Sequence, residues 1–222
     1  MVAHDLIADR DSLAVSFFLL AHDPFDDGRL TLNPEILGYG LVGGKFADLI
    51  LKRWLRIEDD RVIAPDGGVP DDEIDSYVVE AVRSQRQPHS VRRWVEPLQD
   101  ELYELVSERV VASGIMRREE AARRIGRGRQ PDRFPAVDLL TVNAPQQRLD
   151  QMMRSPKDLT LSAGMLVALL SVLGIDRAIA PDVDRSRIRE IVAEIEDNLP
   201  TDLRAVYDAI KTLTGEASLR LR

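Results

Sequence analysis

Apolar side chains recur at helical rather than strand spacing along most of this 222-residue chain. Ser12 followed by LAVSFFLLAH predicts a capped first helix, closed by the turn-rich DPFDDG and followed by a short strand, RLTLN. Asn33-Pro34-Glu35 combines an N-cap, a proline at the first helical position and an acid in the first turn, so it starts a second helix. Ile36, Gly40, Gly43, Ala47, Ile50 and Trp54 form one stripe of that helix, with Leu37 and Leu41 beside it. LRIEDDRVIAPDG predicts a hairpin with Asp59-Asp60 near its turn. PDDEIDSYVVEAVRSQ predicts a helix with acids in its first turn and Ile74, Val78, Val79 and Val82 turned inward. A long helix carrying Trp94, Leu98, Leu102, Leu105, Val106 and Val110 follows, kinked at Pro97 and stopped at Gly114. IMRREEAARRIGRGRQPDRFPAV reads as a long hairpin or loop. The remainder reads as four helices: NAPQQRLDQMM, DLTLSAGMLVALLSVLG, DRSRIREIVAEIEDNL and TDLRAVYDAIKTLT.

The stretch ILGYGLVGGKF holds Gly38, Gly40 and Gly43, a literal G-x-G-x-x-G with Glu58 about twenty residues on. A dinucleotide loop needs its glycines in a strand-to-helix turn, where backbone N–H groups point at the pyrophosphate. Here the cap at Asn33 starts the helix before the glycines, and no βαβ unit follows. Gly40, Gly43, Gly44 and Ala47 therefore read as a small-residue face for close helix packing.

With 44% hydrophobic and 31% charged residues, the chain is globular, and its 5% aromatic content leaves the core to Leu, Val, Ile and Ala. It has no cysteine, which excludes disulfides and thiolate metal sites and suits a reducing cytoplasm. The start, MVAHDLIADRD, has no signal-peptide pattern, and the two most apolar runs are shorter than the roughly 20 residues of a bilayer span. Net charge is -8, against general nucleic-acid binding. Yet arginine stands at 117, 118, 123, 124, 127, 129 and 133, opposed only by Glu119, Glu120 and Asp132. That segment is a local anion-facing feature. His4, His22 and His89 have no partners at metal or triad spacing, and the paired acids sit in turns or first helical turns, so no catalytic set and no cofactor is expected.

The order FFLLAHD, then ILGYGLVGGKFADLILKRWLRIED, PDDEIDSYVVEAV, SVRRWVEPL, LVSERVVASGIMRRE and SAGMLVALLSVLGIDRAIAPDVDR resembles the Golgi phosphoprotein 3-like family. The resemblance runs from about Asp11 to about Lys211 and rests on element order and apolar spacing. It implies a mostly α single domain, residues 11–215, with helices around a central apolar helix and short β-hairpins. Residues 1–10 are expected as a flexible N-terminus and 216–222 as a C-terminal tail. It also implies a non-enzymatic, cytoplasmic, peripheral membrane protein that binds phosphatidylinositol 4-phosphate and recruits client proteins.

The family's headgroup pocket uses a tryptophan before the glycine-bearing helix, an arginine within it and two arginines on the later long helix. The matching positions here are Asn33, Val42, Asp100 and Tyr103, so none is kept, and an aspartate in place of an arginine opposes anion binding. Nearby Lys45, Arg92 and Arg93 are the substitute headgroup candidates. The family's hairpin, used for membrane contact and self-association, corresponds to the segment with Arg123, Arg124, Ile125, Arg127, Arg129, Arg133 and Phe134. Its arginines suit an anionic membrane surface, with Ile125 and Phe134 as inserting groups. The expected partner is an anionic phospholipid, with no residues for phosphatidylinositol 4-phosphate selectivity. The alternatives are a scaffold self-associating through this hairpin as a homo-oligomer, and a nucleic-acid binder using it as a wing.

Overall fold

The computed structural model describes residues 12–121, 131–155, 159–175 and 183–220. The chain enters α1 (Leu13–Ala21) at Ser12, whose hydroxyl oxygen accepts from the Val15 amide. Every residue of α1 except Leu20 is buried. The strands β1 (His22–Asp23) and β2 (Arg29–Leu30) form a minimal antiparallel pair, shorter than the strand expected from RLTLN. Asn33 caps α2 (Pro34–Leu51) by accepting from the Glu35 amide at 2.9 Å, with Pro34 at the helix start.

Residues 36–49 of α2 are all buried, and the helix packs against four others. A helix wrapped on every side cannot afford bulk everywhere, and its glycines mark where neighbours approach. A Cβ on Gly40 would lie 2.0 Å from a ring carbon of Phe17, and one on Gly43 2.9 Å from Ile210. One on Gly44 would lie 3.1 Å from the backbone nitrogen of Ala14. The glycines are packing positions inside a helix, not a phosphate-binding turn.

The hairpin β3 (Arg56–Glu58) and β4 (Arg61–Ile63) turns through Asp59 and Asp60, both left-handed at φ 48° and 61°, as a tight two-residue hairpin turn requires. Asp72 caps α3 (Glu73–Arg83). α4 (Val91–Ala112) runs through Pro97 in its second turn and stops before Gly114, which has φ +71°.

Beyond α4 the chain forms a sparse antiparallel ladder, Met116 opposite Ala136 and Glu119 opposite Arg133. α5 (Leu139–Arg154) begins at Asp138, whose carboxylate accepts from the Leu140 and Thr141 amides; it therefore starts a full turn before the helix expected from Asn143. α6 (Leu161–Val172) is the late apolar helix; residues Gly164 to Leu170 are buried, and it packs against α2, α1, α7 (Arg185–Asn198) and α8 (Thr201–Arg220).

The expected tail at 216–222 is corrected: α8 continues to Arg220. It is held there by burial of Ala217, a 2.7 Å bond from Arg92 to Glu216, and bonds from the Arg220 guanidinium to Glu35 at 3.0 Å and to the Tyr39 hydroxyl. The expected flexible residues 1–10 lie outside the described residues. Among the described residues the fold is eight helices and two short antiparallel strand pairs in one compact domain, the mostly α architecture expected from the sequence.

Candidate functional site

The first candidate cation, Lys45, is not at the surface. It lies on α2, 1% exposed, with its ammonium 2.7 Å from Asp75 on α3 and 3.8 Å from Asp48. Lys52 closes the other oxygen of Asp75 at 2.7 Å. Asp48 also accepts from the Ser12 hydroxyl and the Leu13 amide, so the cluster pins the start of α1 to α2. Burial pushes the Asp48 carboxyl above its ordinary range, against the pull of Lys45 and those two donors. The expectation of Lys45 as a headgroup ligand is corrected, because an ammonium committed to buried carboxylates cannot reach a phosphate.

Arg92 and Arg93 do come together, in an open cleft of about 840 Å³ between the starts of α2 and α4 and the end of α8. Arg220 and Tyr39 share it, but so do Glu35, Glu96 and Glu216. Arg92 is bonded to Glu216 at 2.7 Å, and Arg220 to Glu35 and the Tyr39 hydroxyl. Arg93 makes no ion pair among the described residues. Among the described residues three guanidiniums face three carboxylates, which makes no strongly electropositive pocket.

A second cleft of about 610 Å³ opens between the N-terminal half of α2, the middle of α4 and the ladder. Asp100 and Tyr103, two of the headgroup positions carried over by resemblance, line it. Val42 is fully buried, and the Asn33 side chain is occupied in capping α2. Among the described residues the one cation lining this cleft is Arg118, bonded to Glu104 at 2.6 Å and to Asp132 at 2.7 Å. Its guanidinium carbon lies 5.8 Å from the Tyr103 ring centre and 5.9 Å from that of Phe134, a cation–π seat. The hydrogen bond to Glu104, with Asp132 adding to it, holds this group even more firmly protonated than an ordinary arginine. The sequence reading missed this arrangement: Arg118 was one arginine among seven, and both its carboxylate partners lie fourteen residues away.

Phe134 requires a second correction. Expected as a membrane-inserting side chain, it is fully buried, edge-on to Phe18 and to His22 with centroids 5.0 and 5.1 Å apart. Its amide donates to Gly28 at 2.9 Å, and a Cβ on Gly28 would strike its carbonyl. Phe134 anchors the ladder to α1 and the β1–β2 turn. Arg133 is half-exposed beside Asp27 at 3.6 Å. Arg123, Arg124, Ile125, Arg127 and Arg129 lie outside the described residues.

His22 is buried, with Nδ1 2.7 Å from the Phe18 carbonyl oxygen, and burial drives its pKa down to about 4. That is a structural role, with the ring bonded to backbone and packed against Phe18 and Phe134. Among the described residues no group of His, Cys, Asp or Glu could hold a metal ion, and no helix is long and apolar enough to cross a membrane. No individually curated protein matches the chain. The family model described as Golgi phosphoprotein 3 (GPP34) matches residues 13–213, nearly the whole of the domain just described, and the chain belongs to that family.

Proposed function

We propose that the chain is a non-catalytic adaptor that meets an anionic membrane surface through the arginine-bearing end of its ladder, without a selective headgroup pocket. The observation that carries this reading is the ladder itself. Glu119 and Arg133 exchange both backbone hydrogen bonds at 2.9 Å, and Phe134 beside them is locked into the core. Residues 121 and 131, which flank Arg123, Arg124, Arg127 and Arg129, are thereby tied to a rigid domain. Basic residues near anionic headgroups contribute about 1 kcal/mol each. The clefts on the α2–α4 face support the lack of selectivity: among the described residues Arg93 alone of their cations makes no ion pair, and Val42, Asp100 and Tyr103 offer no charge-assisted donor. The adaptor role, with a client protein as the second partner, rests on family membership.

Co-sedimentation with liposomes tests the reading. Binding is expected to rise with anionic lipid fraction and to fall with salt, since exposed charges are screened over about 8 Å at physiological ionic strength. It should weaken in the fourfold Arg→Ser variant at 123, 124, 127 and 129. Phosphatidylinositol 4-phosphate should show no advantage over other lipids of equal charge. Equal binding by wild type and variant would overturn the proposal.

A second reading, self-association through the segment that carries the ladder, is favoured by Val137, Leu139 and Leu140, at the end opposite the arginines. They are 61%, 49% and 80% exposed where the ladder runs into α5. Sedimentation velocity would detect it as an oligomer that dissociates when Leu139 and Leu140 become serine. Nucleic-acid binding by the same segment is opposed by the net charge of -8, and a duplex-DNA titration run beside the liposome assay should show no saturable binding.

A further inference from the structure

Phe25 is the most exposed large apolar side chain among the described residues, at 81%. It sits in the turn between β1 and β2, and the backbone of that turn is fastened. The Asp23 carboxylate accepts from the Phe25 amide at 2.8 Å, and the Asp23 carbonyl accepts from the Gly28 amide at 2.9 Å. Asp27 and Gly28 are both left-handed, at φ 47° and 62°. A fixed turn therefore holds an aromatic ring in water, where it forgoes the free energy of burial.

Two contacts set the direction in which the ring is presented. The Asp27 carboxylate lies 3.6 Å from the Arg133 guanidinium, and the Gly28 carbonyl accepts from the Phe134 amide at 2.9 Å. Residues 27 and 28 thus lie beside 133 and 134 in the same order. The tip of the turn points toward the arginine-bearing end of the ladder and away from Val137. Asp26 is offset by Arg29 at 3.4 Å and Asp27 by Arg133, so most of the acidic charge around the ring is balanced. A protein partner needs a contiguous apolar patch, whereas the other exposed residues of this turn are Asp26 and Asp27. A single ring beside cations suits a fluid surface that closes around it, with the ring at headgroup level and the cations on phosphates.

We propose that Phe25 is the apolar anchor of the membrane contact, entering the headgroup layer of an anionic lipid surface beside the arginines; this rests on the membrane reading given above. It fills the role expected of Phe134, whose ring the core has taken. Burial of apolar surface is not screened by salt, so the ring multiplies partitioning by a constant factor. One ring is too small to hold the chain without the arginines.

The chain has no cysteine, so Phe25→Cys can carry an environment-sensitive fluorophore at that position alone. With phosphatidylcholine vesicles containing phosphatidylserine, the label should brighten and shift to the blue, and lipids brominated in the upper acyl chain should quench it. Vesicles of phosphatidylcholine alone should leave it unchanged. In co-sedimentation, Phe25→Ser should partition about tenfold more weakly at every salt concentration, with the dependence on salt unchanged, and Phe25→Trp should restore binding. The ring makes no core contact to lose, and an unchanged urea midpoint would show the serine variant folded. The fourfold Arg→Ser variant should instead flatten the salt dependence. Wild-type partitioning by Phe25→Ser, or a label that stays in water on protein that sediments, would overturn the anchor and leave the arginine reading standing. Wild-type partitioning by the fourfold variant would overturn that reading and the anchor with it.

Discussion

The Lys45 ammonium and the Asp75 carboxylate meet at 2.7 Å with both side chains at most 3% exposed, joining α2 to α3. Such a pair is expensive to desolvate, and its worth lies in neither partner being left alone. Asp75→Ala should therefore destabilise the fold by about 3–5 kcal/mol, because the buried Lys45 keeps only Asp48, at 3.8 Å, as a counter-charge. Replacing both, Lys45→Met with Asp75→Leu, should recover much of that loss. Urea unfolding of the three variants checks this; additive losses would mean that the pair is not coupled.

The contact between Gly40 and Phe17 sets the second expectation. Gly40→Ala places a methyl 2.0 Å from the Phe17 ring in the unrelaxed fold, and Gly43→Leu forces bulk against Ile210 and Leu169. Overpacking should cost about 1–3 kcal/mol in each case, and Phe17→Leu should relieve the first but not the second. Thermal melts with millimolar NAD or ATP should show no shift in the wild type. A saturable shift would reinstate a nucleotide site.

Leu169 on α6 is fully buried and touches the space over Gly43. Leu169→Ala should cost about 2–5 kcal/mol, the range for deleting a buried leucine. Because α6 is a core helix, membrane-bound protein should be released by high salt or alkaline wash. Release by detergent alone would contradict that placement.

His22 gives a pH dependence whose sign is fixed by its environment. Folded, it titrates at about 4; unfolded, near 6.5, so the unfolded state binds more protons between these values. Its contribution is fully present above pH 6.5 and is lost as pH falls toward 4, by about 3 kcal/mol in all. The rings packed on it are Phe18 and Phe134, neither of which titrates. His22→Gln should flatten the stability profile over this window. An unchanged slope would place the titration elsewhere.

The sequence by itself determined the elements and the class of chemistry. Ser12 and Asn33-Pro34 mark helix starts through bonds that reach only two or three residues. The same caps placed the glycines inside α2 and removed the nucleotide reading, and the order of elements carried the family. Tertiary structure decided which charges and rings are available. Lys45 finds Asp75 thirty residues away, Arg118 finds Asp132 fourteen away, and Arg220 finds Glu35 at 185. Phe134 looks like an inserting aromatic beside arginines until α1 supplies Phe18 and His22 to cover it. Helix capping and periodicity are local and legible along the chain. Burial and ion pairing depend on which distant segments share a space, and only the packed fold fixes that.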